Sequence, residues 1–120
     1  MNITIKATHG QLTDGMRAFV EEKFSALDRL VSGSASPATL ECEIDQSVAV
    51  ERAGGKYRAE GNLAVDGKLY RAEAEGATLE GAIDRVRDEL MSELRQMRGK
   101  KRGFVKRGGA AFKRMLRFGR

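Results

Sequence analysis

Residues 57–75 read YRAEGNLAVDGKLYRAEAE, and this stretch determines the class of fold. Apolar residues alternate with polar ones on both sides of Asp66-Gly67, as in strands that bury one face. Asp-Gly is a strong hairpin signal because both central residues of a type I′ turn have positive φ. The stretch therefore predicts two antiparallel strands, 57–65 and about 68–75, joined by a two-residue turn.

The same alternation appears twice nearer the N-terminus. Ile3, Ile5 and Ala7 alternate with polar residues, which predicts the first strand. From Leu40 the alternation returns, with Leu40, Cys42, Ile44, Val48 and Val50 on one side, and this second strand is expected to extend through Val50. A turn at residues 52–55 would then lead into the hairpin.

Two segments have apolar residues at helical spacing: one lies between the first and second strands, and the other follows the hairpin. Apolar residues recur every three or four positions after Thr13, which predicts an N-cap and a helix over residues 14–31. The Ser-rich segment 32–37, with its single proline, is expected to be a loop. Thr78 is a second N-cap candidate, for a helix extending to Met97.

The C-terminal limit of the second helix is expected where glycines appear. Gly99 and Gly103 follow the last apolar residue of the helical pattern, and glycine is a helix-stopping signal. We therefore divide the chain into a domain, residues 1–98, and a basic, flexible tail, residues 99–120. The order β-α-β-β-β-α predicts an α+β fold in which one four-stranded sheet carries both helices on its apolar face. On the opposite face, two arginines are expected to form ion pairs with strand glutamates: Arg58 and Arg71 with Glu41, Glu43, Glu60 or Glu73.

Charge is divided unequally along the chain. The first 97 residues carry twelve basic and 17 acidic side chains, a formal net charge of −5, whereas the last 23 carry ten basic and no acidic residues. A block of like charge calls for a polyanionic partner, and nucleic acid is the preferred interpretation. A solubilising role and contact with an anionic membrane are weaker alternatives. The membrane alternative rests on the amphipathic segment 110–118, with Phe112, Met115 and Leu116 on one side.

Catalytic and metal-binding constellations are not found in the sequence. His9 is expected in a surface turn, and Cys42 lies on the buried row of the second strand as an inert thiol. One histidine and one cysteine do not supply the ligands of a structural zinc site. We therefore expect no enzyme activity, no cofactor, no metal and no small-molecule substrate. The N-terminus lacks the pattern of a signal peptide and no apolar run is long enough to span a membrane, which predicts a cytoplasmic protein.

Two segments carry a resemblance to a known family. Residues 12–29, LTDGMRAFVEEKFSALDR, resemble the first helix of the ribosome hibernation-promoting factors, also described as ribosome-associated inhibitors or sigma-54 modulation proteins. Ala82-Ile-Asp84, followed by Asp88, Leu90 and Leu94, resembles the beginning of their second helix. The resemblance covers about residues 2–101. It implies a fold similar to double-stranded RNA-binding domains.

The resemblance also implies a function. Members of this family bind the small ribosomal subunit and its rRNA as non-enzymatic stress factors, occupy the channel of messenger and transfer RNA, and inhibit translation. The alternative is a general RNA-binding or RNA-chaperone module driven by the basic tail. Neither interpretation determines the oligomeric state or whether ribosome dimers form.

The RNA-binding residues are expected on both helices and in the tail. Arg17, Lys23 and Arg29 match basic positions of the family's first helix, whereas Glu89, Ser92 and Gln96 replace basic residues of the second. We therefore expect the tail to compensate for a weakened domain surface. The complete set of candidate residues is Arg17, Lys23, Arg29, Arg95, Arg98, Lys100, Lys101, Arg102, Lys106, Arg107, Lys113 and Arg114.

Overall fold

The computed structural model describes residues 1–46 and 56–107, with side chains up to residue 97. Four strands and three α-helices follow one another along this part of the chain, with a short 3₁₀ turn at Ser25–Leu27. The elements are β1 (Asn2–Thr8), α1 (Asp14–Phe24), α2 (Asp28–Val31), β2 (Thr39–Asp45), β3 (Tyr57–Val65), β4 (Lys68–Gly76) and α3 (Leu79–Arg107). The expected continuation of β2 to Val50 and the turn at residues 52–55 lie outside the described residues.

The four strands form one mixed sheet in the order β1-β2-β3-β4. β1 and β2 are parallel, with Ile5 opposite Cys42, and the other neighbouring strands are antiparallel. The hairpin between β3 and β4 closes at Val65 opposite Lys68, and φ is 48° at Asp66 and 77° at Gly67. The positive φ values and the two-residue loop confirm the predicted turn, and the α+β fold is confirmed with it.

The first helical region is divided, whereas the sequence predicted one helix over residues 14–31. Thr13 caps it as expected, since its Oγ1 accepts a hydrogen bond from the Met16 amide at 3.1 Å. The division falls at Ser25, whose hydroxyl donates to the Glu22 carbonyl at 2.5 Å. A serine hydroxyl that occupies a helical carbonyl competes with the regular pattern, and the backbone tightens into a 3₁₀ turn before α2.

α3 is longer than the sequence predicted. Thr78 caps it, accepting a hydrogen bond from the Gly81 amide at 3.0 Å, but the helix continues through Gly99 and Gly103 to Arg107. The prediction that these glycines end the helix is therefore wrong. A helical glycine costs about 1 kcal/mol relative to alanine, which good helix formers such as the intervening lysines and arginine can offset. Cations near a helix C-terminus also interact favourably with the helix dipole.

All three helices pack on one face of the sheet, and the core lies between the two layers. Gly61 belongs to the buried row of β3, where a Cβ atom would approach Val86 Cγ1 to 2.9 Å and Leu90 Cδ1 to 3.3 Å. The absence of a side chain at this position lets α3 lie directly against the sheet. The largest fully buried side chains come from both layers: Val20, Phe24, Leu27, Leu40, Ile44, Leu63, Ile83, Val86 and Leu90.

The opposite face of the sheet carries a network of charged side chains. Arg58 forms an ion pair with Glu73, and Arg71 Nη2 lies 3.0 Å from Glu60 Oε2. Asn62 donates a hydrogen bond to the other oxygen of Glu60 at 3.0 Å. The expected pairing of the two arginines with strand glutamates is thus confirmed for Glu60 and Glu73. These arginines are engaged within the sheet face opposite the helices.

Candidate nucleic-acid interface

The helical face contains three exposed arginines that the sequence analysis selected. Arg17 lies on α1, Arg29 on α2 and Arg95 on α3, and none of them forms an ion pair with another described residue. Side chains of this kind are available to neutralise phosphates, which supply most of the affinity of non-specific nucleic-acid binding. The structure therefore places these three candidates on the same layer of the fold.

Lys23 differs from these three arginines because its ammonium group forms ion pairs within the protein. Its Nζ lies 3.4 Å from Asp84 Oδ1 and 3.8 Å from Glu80 Oε1, and it also lies 5.5 Å from the centroid of the Phe19 ring. Only 26% of its side chain is exposed. The ammonium group connects α1 to the first turns of α3. Much of its charge is compensated locally.

The first half of α3 balances its own charges. Arg87 Nη1 lies 3.2 Å from Asp84 Oδ1, and Arg87 Nη2 lies 2.9 Å from Asp88 Oδ1. Arg85 donates a hydrogen bond to the Glu75 carbonyl at 2.9 Å, which attaches the helix to the end of β4. These arginines support the fold. They do not form a continuous cationic surface.

The C-terminal third of α3 is cationic in sequence, and we call residues 98–107 of this helix the arm. The arm holds six basic residues and no acid. A helix rises about 1.5 Å per residue, so the backbone of the arm extends about 15 Å past Met97. Its basic residues are the candidates Arg98, Lys100, Lys101, Arg102, Lys106 and Arg107. Lys113, Arg114 and the amphipathic segment 110–118 lie outside the described residues.

A cavity of about 180 Å³ lies beside the beginning of the arm. Leu30, Leu94 and Met97 line it together with the β3–β4 hairpin. Two of the exposed arginines adjoin it in sequence, because Arg29 precedes Leu30 and Arg95 follows Leu94. The sequence analysis did not anticipate this cavity, since its walls come from segments distant along the chain.

Polar groups from the hairpin complete the lining. Asp66 Oδ1 accepts a hydrogen bond from the Ala35 amide at 2.8 Å and thereby holds the loop before β2 against the turn. Lys68 Nζ lies 3.8 Å from Met97 Sδ. Tyr70 adds an aromatic ring. Partial burial, and then the carboxylates of Glu93 and Asp66, raise the pKa of the Tyr70 hydroxyl, which keeps it a neutral hydrogen-bond donor.

The other residues considered for chemistry have structural surroundings. Cys42 is buried, as predicted, and its burial, with the Glu43 carboxylate, raises the pKa of the thiol to about 12. His9 is exposed with φ of 56°, and its Nδ1 lies 3.0 Å from Asp45 Oδ1. Among the residues described, no group of three acidic, histidine or cysteine side chains is placed to hold a metal ion. Within the same part of the chain, no helix combines the length and apolar character needed to cross a bilayer.

Comparison with known proteins agrees with this fold. The family model described as sigma 54 modulation protein / S30EA ribosomal protein matches residues 3–102. The N-terminal domain of Protein Y from Thermus thermophilus is 30% identical, with a TM-score of 0.67, and the match covers 81% of this chain and 99% of that one. A ribosomal subunit interface protein from Coxiella burnetii also has a TM-score of 0.67 at 14% identity, over 82% and 99% of the two chains, and shares the fold. No curated protein sequence matches.

The fold and the family match thus define a ribosome-associated factor of the hibernation class. The chain belongs to the sigma 54 modulation protein / S30EA ribosomal protein family, because the family model spans most of its length. The expected family resemblance is therefore confirmed.

Proposed function

We propose that this protein is a non-enzymatic hibernation factor that binds the small ribosomal subunit, occupies the channel of messenger and transfer RNA, and inhibits translation under stress. Family membership supports the ribosome as the partner. The observation that carries the proposal is the presence of exposed arginines on all three helices of one layer, together with the six basic residues in the sequence of the arm. Because ribosomes translate in the cytoplasm, the proposal also places the protein there.

The mechanism is occlusion by a rigid body. RNA helices are recognised mainly through their shape, phosphates and 2′-hydroxyl groups, for which arginine and lysine on helices are suitable. The arm is continuous with a helix that packs in the core through Ile83 and Leu90, so its backbone continues the axis of that helix. A domain held in this way excludes messenger and transfer RNA by volume and requires no catalytic group.

Sedimentation of ribosomes from stationary-phase lysate at low and high salt tests the proposed partner. The protein is expected in the small-subunit and monosome fractions at low salt and is released as salt increases, because each phosphate contact contributes about 0.7 to 0.9 to the logarithmic salt slope. Addition of the purified protein to a translation reaction should inhibit synthesis and protect decoding-site nucleotides from chemical probes. Absence from both ribosomal fractions at low salt as well as at high salt would contradict the proposal.

The contribution of the arm is tested separately. Replacement of Lys100, Lys101 and Arg102 with glutamine keeps good helix formers while removing three charges. We expect weaker ribosome binding and a shallower salt slope. Lys6 and Lys56 are exposed and away from the arm, and their replacement with glutamine is the control.

A general RNA-binding or RNA-chaperone module is the second candidate. The pairing of Lys23 and Arg87 with acidic residues favours it, because the domain then contributes less positive surface than its composition suggests. Two truncations distinguish the candidates: one removes residues 108–120 and keeps the arm, and the other removes residues 99–120. If the variant that lacks residues 99–120 still protects decoding-site nucleotides from chemical probes, the hibernation-factor proposal is supported. If free RNA competes equally with ribosomes, the general module is supported.

A further inference from the structure

We propose that the cavity beside the arm receives one unstacked nucleobase of single-stranded RNA while the arm and the arginines next to lining residues in sequence, Arg29 and Arg95, hold the adjacent phosphates. This inference rests on the proposed RNA contact and adds a base-binding position to it. Its location is the point where α2, the β3–β4 hairpin and the middle of α3 meet.

The size and lining of the cavity fit a single aromatic ring system. Its volume of about 180 Å³ exceeds the roughly 150 Å³ of an engineered protein cavity that binds benzene. Leu30, Val65 and Leu94 form apolar walls, and Tyr70 supplies an aromatic ring. Sites for small planar ligands combine such walls with a few polar groups. Unstacked RNA bases are bound by stacking on aromatic side chains and by hydrogen bonds to their edges.

Polar groups of both kinds border the apolar walls. Lys68 and the Tyr70 hydroxyl can donate hydrogen bonds to ring nitrogens or carbonyl oxygens of a base. The Asp66 carboxylate accepts from the Ala35 amide through Oδ1, and its second oxygen can accept from a base amino or imino group. The hairpin turn therefore brings one anionic acceptor and two donors to a single cavity.

Charge around the cavity favours a nucleic acid over an apolar peptide. Arg29 and Arg95 are exposed, adjoin lining residues in sequence, and form no ion pair among the described residues. The arm begins directly after Met97, which is itself part of the lining. A base in the cavity would bring its own phosphate towards these cations. An apolar side chain would make no use of the hydrogen-bond donors that Lys68 and Tyr70 place at the cavity.

The test uses methyl and backbone NMR of the full chain. We expect saturable shifts of Leu30, Leu94 and Met97 on titration with guanosine monophosphate and, at lower concentration, with a mixed-sequence single-stranded RNA oligonucleotide. An RNA duplex of equal charge, whose bases are paired, should perturb the arm and leave the cavity signals in place. A parallel titration with guanosine, which has no phosphate, shows how much of the binding comes from the base without the phosphate.

Two variants examine the cavity from opposite directions. Tyr70→Leu removes the aromatic ring from the cavity lining. Val65→Phe retains the Tyr70 ring but fills the cavity with a larger side chain. Both should lower affinity for the single-stranded oligonucleotide about tenfold, the order found when one stacking side chain is lost. Tyr57→Leu, at the far end of β3, is the matched control for loss of a tyrosine. Circular dichroism of each variant establishes that it is folded.

The outcomes are distinct. Shifts confined to the arm, together with equal affinities for the Tyr70 and Tyr57 variants, would overturn the base site. Cavity shifts that differ between the full chain and a chain lacking residues 108–120, without any RNA, would identify the tail as the occupant and also overturn it. If guanosine shifts the cavity signals but the protein does not bind ribosomes, the base site stands and the proposed ribosomal function fails.

Discussion

Lys23 Nζ lies 3.4 Å from Asp84 Oδ1, and this ion pair joins the first helix to the last. A cation that appeared in the sequence to be an RNA ligand thus has a partner within the protein. Because the pair is partly exposed, its contribution to stability is at most about 1 kcal/mol. Its larger consequence concerns how much positive charge the helical face offers to RNA.

We expect Lys23→Gln to change rRNA affinity less than Arg29→Gln or Arg95→Gln. Loss of either arginine should reduce the salt slope of binding by up to about 0.7 to 0.9, since each corresponds to one phosphate contact. Lys23 already has carboxylate partners, so its replacement should give a smaller change. Binding measured at several salt concentrations tests this order. A slope change for Lys23→Gln as large as that for Arg29→Gln would contradict it.

Substitution of Gly61 should destabilise the protein by separating α3 from the sheet. The Cβ of Gly61→Val would lie within 2.9 Å of Val86 Cγ1, and overpacking of this kind costs about 1 to 3 kcal/mol. Urea unfolding measures the loss. Gly33→Ala is the control, because an added Cβ there would meet no atom within 4 Å. Equal midpoints for the two variants would show that α3 does not pack closely at this position.

Glu60 should make stability depend on pH in the acid range. The hydrogen bond from Asn62 lowers the pKa of Glu60 below its usual value of 4.5, and Arg71 and Arg58 lower it further against the opposing effect of burial. The folded state then releases this proton more readily than the unfolded state. The resulting stabilisation is complete above about pH 4.5 and is lost as the pH falls through the folded pKa.

Glu60→Gln tests this prediction by urea unfolding between about pH 6 and about pH 3. The free energy of unfolding of the variant should approach that of the wild type as the pH falls. Asn62→Ala should show a partial effect of the same sign, because it removes the hydrogen bond that lowers the pKa most. If the difference in unfolding free energy between Glu60→Gln and the wild type does not change with pH, the lowered pKa of Glu60 does not contribute to stability and the prediction is wrong.

Cys42 should report global unfolding. Its thiol is buried, and a pKa of about 12 leaves almost no thiolate, which is the form that reacts. Alkylation near neutral pH should therefore be negligible in the native protein and should rise with urea in parallel with loss of circular dichroism. The control is Ser92→Cys in a Cys42→Ala background, since residue 92 is exposed on α3 and should react at once. Fast native labelling at residue 42 would indicate local opening of β2.

The sequence predicted the fold well where one local rule decided the structure. The Asp66-Gly67 turn needs positive φ, and Thr13 and Thr78 cap helices through hydrogen bonds that span three residues. Such features are local, so pattern and residue type suffice to find them. The sequence does not predict the division of the first helix at Ser25. A serine that an exposed helix tolerates cannot be distinguished, from sequence alone, from one whose hydroxyl bonds a helical carbonyl and interrupts the helix.

Features that depend on tertiary packing were harder to predict from the sequence. The sequence predicts a helix end at Gly99, because the positions of the glycines alone do not show whether the neighbouring residues offset their helix-destabilising cost. The engagement of Lys23 depends on Asp84, which is distant in sequence and close only after α1 and α3 dock on the sheet. The cavity beside Tyr70 has the same origin, since no single segment supplies more than part of its wall.

The continuity of α3 has a thermodynamic consequence. Leu90 and Leu94 anchor this helix in the core, and the same helix carries the arm. A polyanion that binds the helical arm but not the unfolded chain shifts the folding equilibrium of the whole domain by mass action. The free energy of binding at the arm then appears as a higher melting temperature of the domain that the same helix helps to form. The thermal stability of this protein therefore becomes a direct measure of how much RNA is bound.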